Sequence, residues 1–219
     1  RLSATGRGGA TSRPVARRPR VAAHWRAGLR VFGENRVQEA LGKSHELIAL
    51  PPPPEGPEWH LIGPLQSNKV RAALDLFRTI HSIDRPKIGE AIDREASARG
   101  LRVDGFLEVN VGGEESKHGF SPDPPEGFAE AVRPLAHLQE NREGLRIVGL
   151  MAIPPFGDDP EASRRWFVRL RELSERVRER HPGAVELSMG MSLDYRVAVE
   201  EGATMVRIGT ALFGPRPPA

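Results

Sequence analysis

Seven short apolar runs recur through this chain at intervals of roughly 20–35 residues, and stretches of helical periodicity separate them. They fall at residues 29–32, 59–62, 79–83, 106–111, 145–151, 185–189 and 205–208. Strands joined by helical crossovers must run parallel, and a parallel sheet needs helices over its face. The pattern therefore predicts an α/β fold, a (β/α)8 TIM-type barrel whose first strand is degenerate or missing. The eighth strand is expected before residue 21, where no apolar alternation is visible. Helices are predicted over 37–50, 68–77 with Ser67 as its cap, 86–98 opened by Pro86, 160–180 opened by Pro160, and 194–201 closed by Gly202. A further helical pattern over 127–138 is interrupted by Pro134, and the proline run 51–57 reads as extended loop.

Glu186 to Gly214, ELSMGMSLDYRVAVEEGATMVRIGTALFG, carries the clearest chemistry. It reads as strand, Gly-rich turn, short helix, strand, Gly-rich turn, so both turns face the same end of a sheet. Ser192 lies on the first turn, and Gly209 and Thr210 lie on the second. Backbone N–H groups and hydroxyls in such turns form a cradle for a phosphate dianion. Arg207, between the turns, is placed to aim a guanidinium at whatever the phosphate carries. Any one of these Gly or Ser residues alone makes only a tight turn, and the cradle leaves its phosphorylated ligand open.

This stretch resembles the C-terminal signature of the pyridoxal-phosphate homeostasis protein family, relatives of the N-terminal barrel of alanine racemase. The resemblance recurs in FGENRVQEA (32–40), WHLIGPLQSNKVR (59–71), IHSID (80–84), VNVGGEESKHGF (109–120) and GLMAIPP (149–155), in the family's order. It implies a protein that binds pyridoxal 5'-phosphate for cofactor homeostasis, without robust turnover. It further implies that Ser192, Gly209 and Thr210 hold the phosphate, that Arg207 contacts the pyridine nitrogen, and that Asn35 and His60 line the ring. An arginine there keeps the ring nitrogen unprotonated and weakens the ring as an electron sink. His60 reads equally as a histidine satisfied at the barrel rim; His81 and Met151 read as packing residues. The rival reading is an amino-acid racemase of the alanine racemase type. That reaction needs a base on each face of the substrate, and the chain's single tyrosine is Tyr195.

One departure stands out. The family's covalent lysine ends the first strand in a Ser-Lys-Thr type segment, and here that neighbourhood is Ser12-Arg13-Pro14-Val15. The first lysine is Lys43. Arginine has no neutral primary amine to offer, so binding is expected to be non-covalent. Two explanations stay open: a degenerate family member, or a first 20-odd residues read in the wrong frame. The second draws on the bias of the chain, in which 28 of 32 basic residues are arginine, as in GC-rich coding.

The pI of 9.8 points towards nucleic acid, but the charge is unevenly distributed. Residues 1–30 hold eight arginines and no acid, so the remainder is mildly acidic. Residues 1–27 are expected to be a poorly ordered Arg-rich segment ahead of a single cofactor-binding barrel over 28–219. With no cysteines, a mean hydropathy of −0.43 and no apolar run near the ~20 residues of a membrane span, the expected setting is the cytoplasm. The expectation is a monomer whose partner is a small-molecule cofactor, with no nucleic acid, membrane or metal.

Overall fold

The computed structural model describes residues 11–12, 18–46, 56–114, 117–123, 128 and 144–214. Among them eight strands form one sheet in sequential order: β1 Thr11–Ser12, β2 Val31–Glu34, β3 Glu58–Leu61, β4 Thr79–Ile83, β5 Val103–Val109, β6 Leu145–Ala152, β7 Glu186–Met191 and β8 Met205–Arg207. Every neighbouring pair is parallel. β1 also approaches β8, so the sheet curls into a nearly closed barrel, although no ladder joins those two among the described residues.

The helices are α1 Arg18–Arg26, α2 Val37–Glu46, α3 Val70–Ala73, α4 Pro86–Ala98, α5 Arg164–Arg180, α6 Tyr195–Glu200 and α7 Thr210–Phe213. Pro86 occupies the start of α4, where its missing N–H costs nothing. Ser67, expected to cap a helix over 68–77, instead begins a 3-10 turn, and the α-helical part is only the four residues of α3. In α5 the inward side chains are Phe167, Leu170, Leu173 and Val177, while Trp166 lies at the edge of the core. The pattern expected over 127–138 and most of the proline run lie outside the described residues.

The eighth strand is present where the sequence showed none. Thr11 pairs with Phe32 and Ser12 with Gly33 in parallel register, which extends the sheet. α1 then brings Val21 into the core at 2% exposure, so residues 1–27 contribute two packed elements to the barrel. Gly28, at φ +101°, turns the chain from α1 towards β2, a conformation open to glycine without strain.

Two apolar regions hold the barrel together. Outward-facing strand residues such as Phe32, Leu61, Ile80, Leu107 and Leu187 pack with Ile88, Ile92, Phe167 and Leu170 from the helices. A small inner cluster joins Phe106, Val148 and Met151, with Met205 against it. The rest of the interior is polar: His60, His81, Ser188 and Arg207 are all buried. No helix among the described residues is long and apolar enough to cross a membrane.

Candidate functional site

The two Gly-rich turns meet. Ser192 Oγ accepts hydrogen bonds from the backbone N–H of Gly209 at 3.1 Å and of Ala211 at 3.2 Å. The turn after β7 is therefore docked onto the turn after β8, and the hydroxyl proton of Ser192 is left to donate outward. Local chemistry builds this contact. Gly190 has φ +87°, and a Cβ there would stand 2.5 Å from Ala198 Cβ, so only glycine lets α6 pack this closely behind β7. Asp194 Oδ1 accepts from Met191 N at 2.7 Å and holds the turn shut. Thr210, the first residue of α7, is exposed beside the pair.

Arg207 ends β8 and points into the barrel, 3% exposed. Its Nη1 donates to Ser188 O and Ser188 Oγ, each at 2.7 Å, and its Nη2 donates to Ala152 O at 2.8 Å. Burial lowers the guanidinium's pKa to about 10, against the support of Glu108 and Asp194. It stays a cation at neutral pH. Asn35, the residue after β2, is half-buried at the same strand end. Gly63, after β3, lies so close that a Cβ would come within 2.3 Å of Asn35 O.

His60 is not with this group. It is the third residue of β3, and it lines a cavity of about 490 Å³ at the opposite mouth, among the first residues of the strands, with Glu58, Thr79, Asp104, Arg146 and Glu186. Its Nε2 is 3.0 Å from Glu58 Oε1, and its Nδ1 is 3.0 Å from His81 Nε2. His81, expected to be packing only, stacks on Phe106 at 4.3 Å and also reaches Ser188 Oγ through Nδ1 at 2.8 Å. Alternation along the strand turns both rings inward at mid-barrel, away from the turns. Met151 matches its expectation, fully buried in the inner cluster. The structure thus docks Ser192 on Gly209, has Arg207, Thr210 and Asn35 at the C-terminal ends of strands, and places His60 on the cavity at the opposite mouth.

Two residues that act on Arg207 escaped sequence reasoning. Ser188, invisible inside an apolar strand, holds Arg207; its signal was a polar residue at an inward position, two before the Gly190 turn. Glu108 on β5 is the other. Burial and the neighbouring Asp84 push its carboxyl up to about 7, although Arg207 pulls the other way. Folding thus holds a proton that the unfolded chain releases near pH 4.5. Stability from this group is full below that pH and declines as pH rises towards 7 and beyond. Glu108→Gln should stabilise the protein by about 1–3 kcal/mol at pH 8 and do little at pH 4.5, as read by denaturant melts at both pH values. An equal effect at the two would contradict the assignment.

None of the four lysines ends β1. Lys43 on α2 is 2.5 Å from Glu34 Oε1, outside the barrel. Lys117 donates to Pro154 O at 3.1 Å and pairs with Glu114 at 2.6 Å. Lys69 lies in the 3-10 turn after β3, and Lys87 is exposed on α4. The donors thus suit a phosphate and a ring nitrogen, while a covalent anchor at β1 does not fit the residues present. No cluster of metal-ligating side chains occurs among the described residues.

Comparison with known proteins bears on this geometry. Residues 17–217 match the family model described as alanine racemase, N-terminal domain. A pyridoxal phosphate homeostasis protein of Aquifex aeolicus is 44% identical over 193 residues, 88% of this chain and 79% of its own. One of Pseudomonas aeruginosa is 47% identical over 190 residues, covering 87% and 76%. Among solved structures, PipY of Synechococcus elongatus with PLP bound superposes with a TM-score of 0.79 at 34% identity, covering 94% of this chain and 91% of PipY. An alanine racemase of Clostridium difficile shares the fold, with a TM-score of 0.72 at 14% identity over 90% of this chain and 48% of the racemase.

Proposed function

The chain belongs to the alanine racemase N-terminal domain family, among the pyridoxal phosphate homeostasis proteins, and on that premise we propose that it binds pyridoxal 5'-phosphate as a handler of the cofactor, without robust turnover. The observation that carries this reading is the Ser192 hydroxyl held on the Gly209 and Ala211 amides beside a buried Arg207. Ser192, Gly209 and Thr210 would hold the phosphate, and Arg207 would meet the pyridine nitrogen. Asn35 would border the ring. When bound, the group supplies a reactive aldehyde on a pyridine ring. Arg207, a donor only, would need an unprotonated ring nitrogen as its acceptor, which weakens the ring as an electron sink and favours storage over carbanion chemistry. The binding unit is the barrel of residues 28–219 with β1 and α1 packed onto it, and its setting is the cytoplasm.

The racemase alternative finds no support in the site. Tyr195, the sole tyrosine, sits on α6 with its OH accepting from Arg196 Nε at 3.4 Å, outside the barrel.

Calorimetric titration with pyridoxal 5'-phosphate tests the phosphate assignment. A hydrogen bond to a charged group contributes about 1.5–3 kcal/mol, so Ser192→Ala should weaken binding roughly 10- to 150-fold. Unchanged affinity would overturn the cradle. Equal affinity for pyridoxal lacking the phosphate would overturn the ligand class.

A further inference from the structure

Five polar groups cross the barrel interior in single file. Glu58, at the mouth opposite the cradle, meets His60; His60 meets His81; His81 meets Ser188; Ser188 meets Arg207, at 3.0, 3.0, 2.8 and 2.7 Å in turn. The line draws on β3, β4, β7 and β8, so it ties together strands that are distant in the sequence.

The two ends decide which way every proton points. Arg207 donates and cannot accept, so Ser188 Oγ must accept from it. The Ser188 hydroxyl proton then needs an acceptor, and the one among its described partners is His81 Nδ1. Nδ1 is therefore bare. His81 is fully buried between His60 and Arg207, and that burial holds its pKa well below the ordinary histidine value, leaving one ring proton. It sits on Nε2 and donates to His60 Nδ1. His60 carries its own proton on Nε2 and gives it to Glu58, a carboxylate that only accepts and whose pKa this contact lowers. Each donor meets one acceptor, and reversing the line would leave the Ser188 hydroxyl proton without an acceptor among its described partners and set a His60 lone pair against the Glu58 carboxylate. A half-satisfied version of such a network costs more than it contributes, so it behaves as a unit.

We propose that Ser188 is the positioning residue of Arg207, and that the His81–His60–Glu58 line commits the Ser188 hydroxyl to that task from the far mouth of the barrel. The inference rests on the proposed cofactor role of Arg207, but the relay itself is a property of the unliganded protein. The guanidinium is aimed by two carbonyls and one hydroxyl, and only the hydroxyl can turn away. Its proton is kept on His81, so its lone pair stays on Arg207.

Nitrogen-15 spectra of the histidine-labelled protein, without cofactor, test the relay. His60 and His81 should both show a protonated Nε2 and a bare Nδ1 at neutral pH. Because each end fixes the direction independently, Ser188→Ala and Glu58→Ala should each keep these tautomers, and the double variant should give a mixture. A protonated Nδ1 on either ring of the wild type, or a double variant like the parent, would overturn the relay. The positioning role has its own readouts. Ser188→Ala should weaken pyridoxal 5'-phosphate about 10-fold. It should also move the ring-nitrogen resonance of the labelled cofactor towards the protonated range, which a packing defect would not do. Binding and resonance both unchanged would overturn the positioning role. A wild type that shows the expected tautomers but binds no cofactor would refute the proposed function and leave the relay standing.

Discussion

Purified and dialysed, this protein should be colourless, and Arg13→Lys should turn it yellow. Ser12, the last residue of β1, pairs with Gly33, two residues before Asn35, so β1 ends at the mouth where Ser192 and Arg207 gather. In the family pattern a lysine follows that serine, and here Arg13 does. Without an amine, the cofactor is held by its phosphate and ring contacts alone. The loss of a covalent link forfeits the high effective concentration of an oriented pair, and at least ~10-fold in affinity should go with it. After borohydride treatment, intact mass should show no stoichiometric cofactor adduct on the parent chain and one adduct per chain on Arg13→Lys. A full-yield adduct on Lys69 or Lys117 of the parent would refute this. Lys117 is a poor candidate, because its ammonium is held by Glu114 and the Pro154 carbonyl. Failure of Arg13→Lys would mean that residue 13 does not stand where the family's lysine stands.

The same strand shows what sequence can and cannot disclose. The other seven strands were legible because their outward faces bury apolar side chains, and that burial writes itself into composition. Thr11–Ser12 contains no large apolar residue and joins the sheet by parallel backbone pairing, which leaves no residue-type signature. The cradle was legible for a related reason: glycine at a positive φ and a hydroxyl on a turn are chemical necessities, so Gly190 and Ser192 advertise themselves. His60 entered the expected ring lining only through the resemblance of WHLIG; β3 carries it as its third residue, so its ring turns inward at mid-barrel, away from the cradle. Ser188 was missed because a lone serine in an apolar strand resembles filler. Its role exists only once β7 and β8 are adjacent and Arg207 reaches across. Local chemistry is readable residue by residue, whereas a network between strands needs the register.

Arg207 should prove the most damaging single position to change. Replacing it with methionine, similar in length and apolar, removes a buried cation and leaves Ser188 O, Ser188 Oγ and Ala152 O without their donor. Glu108 and Asp194 lose the positive charge that offsets them. Breaking a buried charge arrangement by deleting one member costs about 3–5 kcal/mol, and for a domain of this size each kcal/mol lowers Tm by about 2–4 °C. Arg207→Met should therefore melt roughly 10 °C or more below the parent, with the deficit growing as pH rises and Glu108 is forced to ionise without a partner. Arg207→Lys keeps the charge but offers a point donor that cannot span Ser188 and Ala152 as the planar fork does, so it should recover part of the stability. It should not recover the cofactor's ring contact: binding by Arg207→Lys should stay at least about 10-fold weak even where the fold is intact. Calorimetric melts at pH 5 and pH 8, beside titrations with pyridoxal 5'-phosphate, separate the two effects. If Arg207→Lys matched the parent in both, the guanidinium's shape would be irrelevant and its charge alone would hold the barrel's interior and its site together.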